Sequence, residues 1–511
     1  MSKPFDFGGV NLNAGGDASG GRPLEETPFC IAILADFSGR ANRTIRQTEN
    51  IASRKAVLVD RDNFEEVLAR YKPELELKLS DSGSLHLRFG ELDDFHPDRL
   101  FEQVEAFSTL RNLRTRLEDP SSFGQAAEEL GLRSGQAAAR PSSNAAPAVA
   151  PSPAKLASGS LLDDMIEETE SRPQDPLRKT ADPVRDFAKR VAEQSLVNSP
   201  DPRQPEILSV MDRAIGALMR AVLHNPDFQA LEALWRATFL LVRQLETGSQ
   251  LKIYLFDISK DELAVDQSSG RELRQTGLYR LLVEKSVETP GAEPWSLIVG
   301  NFTFGPGQQD VAVLSRVAAV ARRAGAPFLA HASSRILGCS SIAAASHPRD
   351  WKDAAGGPDW LSLRARPEAD AIGLALPRFL LRLPYGKNTS SLESFDFEEL
   401  GDSASHEDYL WGNPAFAVAL LLAQAFEQAG WEMRAGSAVE LAGVPLHIYR
   451  RDGASEAKPC AEVLLTQEAL ESILDAGLIP LVSFKNRDAI RVARFQSLSS
   501  PPRPLAGRWL R

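Results

Sequence analysis

The sequence predicts an α/β protein made of two mixed α/β lobes joined by a disordered, Ala/Pro-rich linker. Three observations carry this reading. Leu75, Leu77 and Leu79 alternate with polar residues, as do Leu85, Leu87 and Phe89 across Asp81-Ser82-Gly83-Ser84, a β-hairpin pattern. An apolar run at 295–300, a helical stretch at 310–323 and a second run at 327–331 spell strand, helix, strand, and so parallel, right-handed pairing. Between these regions, residues 134–157 are Ala, Pro and Ser with almost no large apolar side chain, too few to bury and order themselves.

Taken in order, residues 1–27 are Gly-rich and aperiodic and read as a flexible arm. The apolar run 29–34 is a strand closed by the turn residues Asp36, Phe37, Ser38 and Gly39, and 56–59 is another. Asp62, with Glu65 three residues on, makes a capping-box pattern for a helix bearing Phe64, Val67, Leu68 and Tyr71. After the hairpin, Pro97 opens a helix with Leu100, Val104, Phe107 and Leu110 along one side. Asp93, Asp94 and His96 stand just before that proline and read as helix caps rather than an acid–base cluster. The first lobe spans 28–133.

The linker region, 134–204, holds one island at 161–168, LLDDMIEE. Leu161, Leu162, Met165 and Ile166 share a face of a short amphipathic helix, which alone is marginal in water. It either docks on its own core or serves as bait for a partner's groove.

The second lobe, 205–499, opens with a helical hairpin. Ile207, Met211, Ile215, Leu218 and Val222 line one helix. Asn225, Pro226 and Asp227 then start a second, whose stripe is Phe228, Leu231, Trp235, Phe239 and Val242. Trp235 reads as core. Residues 251–258 form a strand. Asn413-Pro414 starts a nearly continuous apolar helix ended by Gly430, which should be buried all round. Thr466 caps a last helix ended by Gly477, 478–484 is a closing strand, and 500–511 is a tail. Arg378 and Arg382, four apart in LPRFLLRLPYG, either grip an acidic partner or satisfy buried carboxylates such as Glu398 and Glu399.

Composition excludes several classes. With 58 Lys and Arg against 69 Asp and Glu, the net charge is −11, against a general nucleic-acid binder. Cys30, Cys339 and Cys460 make no disulfide framework and suit a reducing cytoplasm. The start lacks an apolar signal-peptide run, and no stretch reaches the ~18 apolar residues of a membrane span. The seven histidines show no HExxH spacing, and neither GxxxxGK, GxGxxG nor GxSxG is present. No catalytic residue, cofactor site or metal site is indicated, and the expectation is a cytoplasmic protein that is not an enzyme.

Two regions resemble the two subunits of the type VI secretion contractile sheath. In 28–117, PFCIAILADFSGR, VDRDNFEEVLARYKPELEL and LRFGELDDFHPDRLFEQVEAFSTLRNLRTRL are similar to the small subunit (TssB, or VipA). In 161–499, LLDDMIEE, LHNPDFQALEALWR, DISKDEL, DVAVLSRVAAVARRAGAPFLA, LALPRFLLRLPYG, YLWGNPAFA and GLIPLVSFKN are similar to the large one (TssC, or VipB). The resemblance implies a fused sheath protomer that packs around an inner tube and contracts to drive effector delivery. Its implied partners are copies of itself or other sheath subunits, an Hcp-like inner-tube protein, a baseplate and a ClpV-like recycling ATPase, without direct membrane insertion. It implies that Leu161, Leu162, Met165 and Ile166 contact that ATPase. The Gly-rich arm stands where the small subunit offers a basic, apolar exchange strand, and family large subunits continue into a further C-terminal segment. These departures leave a non-polymerising accessory, an end cap or baseplate adaptor, as the alternative, with an α/β enzyme behind it.

Overall fold

The seven-residue run FCIAILA has no polar position, as expected of a strand covered on both faces. In the computed structural model it is strand β1 (Phe29–Ala35), and every residue in it is wholly buried. The structure describes residues 23–80, 83–119, 122–130, 203–268, 270, 272–351, 357–401, 405–451 and 454–510. Leu161, Leu162, Met165 and Ile166 lie outside these residues, as do the N-terminal 1–22 and the Ala/Pro-rich 134–157.

One nine-stranded sheet organises the rest. Its strands are β1, β2 (Val57–Val59), β5 (Leu251–Asp257), β6 (Trp295–Phe304), β7 (Phe328–Ala332), β8 (Ile372–Leu376), β11 (Glu440–Ala442), β14 (Ile479–Ser483) and β15 (Ala489–Val492). The order is β11-β15-β14-β8-β7-β6-β1-β5-β2. The six strands from β14 to β5 run parallel, and β15, β11 and β2 close the two sides antiparallel. β1 therefore comes from the first stretch yet lies between two strands of the second. Phe29 pairs with Leu251 and Ala35 with Asp257 on one side, and Ile31 to Leu34 pair with Leu297 to Gly300 on the other. The two α/β parts share this sheet.

Alternation sends β1 side chains both ways. Phe29, Ile31 and Ile33 enter the core beneath α5 (Arg203–Leu223), α6 (Pro226–Gln244) and α10 (Pro414–Ala429). Cys30, Ala32 and Leu34 enter the opposite core with α8 (Gln308–Ala324). Gly300 on β6 allows this tight layering, since a Cβ there would stand 2.4 Å from the Phe328 ring. As the sequence predicts, α10 is buried along nearly its whole length, capped by the Asn413 side chain.

The 75–89 hairpin forms as predicted, from β3 (Glu74–Ser80) and β4 (Gly83–Arg88), pairing Leu75 with Leu87. Two short pairs complete the strands: β9 (Phe379–Leu380) with β10 (Trp411–Gly412), and β12 (His447–Arg451) with β13 (Ala454–Lys458). Three local expectations are corrected. The cap of α1 (Phe64–Tyr71) is Asn63, not Asp62, because Asp60 turns its carboxylate onto the amides of Asp62 and Asn63 and draws the chain into a turn first. The helix predicted from Pro97 is two, α2 (Pro97–Gln103) and α3 (Glu105–Glu118), broken by extended backbone at Val104. The break leaves the carbonyls of Phe101 and Glu102 to the Arg111 guanidinium, both at 2.8 Å. Asp94 serves the preceding turn instead of α2, taking the amides of Gly90 at 2.6 Å and Glu91 at 3.0 Å, while His96 Nδ1 caps α2 by accepting from Asp98 N. Asp93 contributes its carbonyl, which accepts from His96 N.

Trp235 of α6 holds the first stretch against the second. Its ring is wholly buried with Phe37, Phe64 and Tyr71 at centroid distances of 5.1, 5.9 and 5.9 Å, and its Nε1 donates to the Phe37 carbonyl at 3.2 Å. Trp235→Ala should cost about 3–5 kcal/mol through cavity formation. Trp235→Phe should cost about 1–3 kcal/mol for the unpaired carbonyl. Urea unfolding followed by circular dichroism checks both magnitudes and their order.

Candidate functional site

The richest chemistry in the molecule lies along the seam between the two stretches. After β1 the chain turns at Gly39, whose φ of +69° and 2.4 Å approach to the Glu74 carbonyl only glycine accepts without strain. Asp36 holds the turn by accepting from the amides of Arg40 and Ala41. Burial pushes the Asp36 carboxyl above its usual value, opposed by those amides. The turn aims Arg40 at the second stretch: its Nη2 donates to Glu262 at 3.0 Å and to the Asp257 carbonyl at 2.9 Å. Glu262, wholly buried, also accepts from Arg54 and from the Gln47 and Ser259 amides. Ser38 Oγ donates to Asp257 at 2.8 Å. These carboxylates of the second stretch are thus neutralised by arginines of the first.

A second network fixes the predicted Arg382. Its guanidinium donates twice to Glu399, at 2.7 and 2.9 Å, and to Glu232 of α6 at 2.8 Å. Arg236, one turn on, donates to Glu232 at 2.7 Å and to the Tyr385 hydroxyl at 3.1 Å, and the Arg382 guanidinium lies 4.3 Å from the Tyr385 ring centroid. Burial pushes the Glu232 carboxyl up, but Arg382 and Arg236 outweigh it and hold it below its usual value. The first stretch reaches this network through His96, whose ring meets Tyr385 edge-on at 4.8 Å. Nearby, Asp98 accepts from the amides of Glu393 and Ser394, and Arg114 donates to Asp212 at 2.7 Å.

Arg378 does not join Arg382. It donates to Glu462 at 2.7 and 2.9 Å and to both oxygens of Glu407 at 3.0 Å. His406, Glu407 and Glu462 offer three ligand atoms within 4.8 Å, yet Arg378 already spans both carboxylates and Lys458 stands 3.1 Å from His406 Nδ1. Burial raises the Glu462 carboxyl, and the His406 and Arg378 hydrogen bonds bring it down to about 2. Beside it, at the carboxyl ends of β6 and β7 where parallel sheets often bind ligands, a cleft of about 180 Å³ is lined by Thr303, His331, Ser333 and Arg378. His331 Nδ1 is tied to Thr303 at 2.9 Å, and desolvation lowers its pKa to about 4. The cleft is smaller than the ~300–1,000 Å³ of ligand pockets, and its charged groups are committed to one another.

The seam therefore joins one polypeptide's early and late parts through a shared sheet, an aromatic cluster and buried ion pairs. Residues 206–500 match the family model for VipB, the EvpB tail sheath N-terminal domain. The chain belongs to the type VI secretion tail-sheath family. Residues 10–130 match the model of the type VI secretion system protein VipA, so small and large sheath subunits are fused here. Sheath protein TssC1 of Pseudomonas aeruginosa is 33% identical over 329 residues, 62% of this chain and 66% of that protein. Sheath protein TssB1 of the same organism is 30% identical over 98 residues, 18% of this chain and 55% of that protein. The chain thus spans just under two thirds of the length of one relative and about half of the other. The seam is the contact between its VipA-like and VipB-like parts.

Sequence reasoning missed Arg40, Arg54 and Glu262, although DFSGR and DISKDEL, which carry two of them, mark the sheath resemblance. The available signal was for Arg40 alone, which stands five residues past the wholly apolar run 29–35, just after the Gly39 turn. Arg382→Met, which strands Glu232 and Glu399, should cost about 3–5 kcal/mol in urea unfolding. Because the Glu462 carboxyl is depressed, its contribution is fully present above pH ~4.5 and is lost as pH falls towards 2. Glu462→Gln should therefore show a shallower fall in urea midpoint between pH 5 and 2.5 than the wild type.

Proposed function

We propose that the chain is a structural protomer of a type VI secretion contractile sheath, with the two subunit types in one polypeptide. Copies pack around an inner tube and contract to drive effector delivery. The single observation that carries this reading is β1: a strand of the VipA-like part completes the parallel sheet of the VipB-like part. Both family parts thus stand as one folding unit. Non-closing contacts between identical protomers then generate a helical tube, and fusion fixes the one-to-one stoichiometry. The work comes from subunit packing, with no reaction catalysed. The described helices include none long and apolar enough to cross a membrane, in keeping with assembly in the bacterial cytoplasm. Other sheath subunits, an Hcp-like tube protein, the baseplate and a ClpV-like ATPase are the partners this role requires.

Negative-stain microscopy of the purified chain, alone and with the inner-tube protein, should show tubes or rings. A uniformly monomeric or dimeric species in both would overturn the sheath role in favour of an end cap or baseplate adaptor. Within this role, Leu161, Leu162, Met165 and Ile166 carry the ATPase contact. Leu162→Glu with Ile166→Glu should abolish binding to the ATPase N-terminal domain in calorimetry, and unchanged affinity would remove that assignment.

A further inference from the structure

Outside the seam networks, a cleft of about 780 Å³ opens between the segment after α10, the segment after β15 and the final turns of the chain. Met433, Phe495, Pro504 and Trp509 wall it, and Leu510, 46% exposed, sits at its lip. Arg434, Arg494 and Arg503 stand around it against a single acid, Glu432, all four exposed, and the three guanidiniums have no carboxylate partner among the described residues. Unpaired cations over apolar walls call for an occupant both acidic and apolar. Two buried polar atoms of the same lining also lack partners among the described residues: Trp509 Nε1, a donor, and Gln496 Oε1, an acceptor. A peptide supplies both complements, since each residue brings a carbonyl and an N–H.

Outside the described residues, one stretch has that chemistry. Residues 161–170, LLDDMIEETE, place Leu161, Leu162, Met165 and Ile166 among Asp163, Asp164, Glu167, Glu168 and Glu170, with no basic residue. The other segment near this region, 1–22, precedes Thr27, whose carbonyl accepts from Trp431 Nε1 at 2.7 Å. It balances Lys3 and Arg22 against Asp6 and Asp17, so charge selects 161–170 over it. Reach is no obstacle, because 30 residues precede this stretch after Leu130 and 32 follow it before Arg203. Either length extends to about 100 Å.

We infer that residues 161–170 dock in the same chain's arginine-rimmed cleft at 432–510. The inference goes beyond the sheath role and does not depend on the ATPase contact. Hydrogen exchange of the full chain tests it. Amides at 161–170 should exchange at least tenfold more slowly in the wild type than in Arg434→Glu/Arg494→Glu/Arg503→Glu. Adding Asp163→Arg, Glu167→Arg and Glu168→Arg to that variant should restore the slow exchange. Equal rates in wild type and triple variant, protection that vanishes on dilution, or protection of 1–22 in place of 161–170 would each overturn it. Should the triple variant misfold, disulfide trapping between Leu510→Cys and Met165→Cys replaces it, the three native cysteines being buried. An intramolecular cross-link is expected, and its absence under oxidant counts against the docking. Retained ATPase binding without protection at 161–170 would sink the docking alone and leave the ATPase contact standing.

Discussion

Everything in this molecule hangs on seven residues being held by strands that lie more than two hundred positions away. β1 has no free edge: β5 hydrogen-bonds one side and β6 the other, and its side chains feed both cores. Removing it would split the parallel sheet between β5 and β6 and orphan a row of backbone groups on each, a cost no local repair offsets. The family comparison and the fold meet at this point, since β1 lies in the VipA-like part and its neighbours in the VipB-like part.

Around that strand the chain spends its charges inward. Glu232, Glu262 and Glu399 are almost wholly buried, and each is met by arginine. Buried ion pairs contribute little net stability against an apolar alternative, but a lone buried charge is heavily penalised. The networks thus discriminate between correct and incorrect docking more than they strengthen the correct one. A misplaced VipA-like part would strand Glu262, and a shifted 378–399 segment would strand Glu232. Arg382, bidentate on Glu399 and stacked on Tyr385, illustrates why a planar guanidinium is used where lysine offers only a point charge.

Much of the fold was legible because hydrophobic period and caps are local signals. The 75–89 hairpin, the Asn225 and Asn413 caps, the buried helix α10 and the 295–332 parallel unit follow from spacing alone. What was not legible depends on distant partners. Nothing in FCIAILA names β5 and β6 as its neighbours, although its lack of any polar position does mark it as a central strand. Val104 interrupts a helix whose apolar stripe runs unbroken in sequence, because Leu100 and Phe107 pack correctly either way. Arg378 and Arg382 share a helical spacing yet serve separate carboxylates, since the backbone between them is extended at β9 and not helical. Their partners, Glu462 and Glu232, lie 84 and 150 residues away, beyond the reach of any pattern.

The placement of β1 also has a temporal side. During synthesis Ala35 leaves the ribosome some 265 residues before Gly300 does, which at ~5–20 residues per second is roughly 13–50 s. Until β5 emerges an unbroken apolar segment waits with both edges open, and until β6 emerges with one, a template for the wrong neighbour. Non-local pairing of this kind is also intrinsically slow to form. Joining the two subunit types end to end thus guarantees each early segment a mate of its own, but that mate is not available until β6 has emerged.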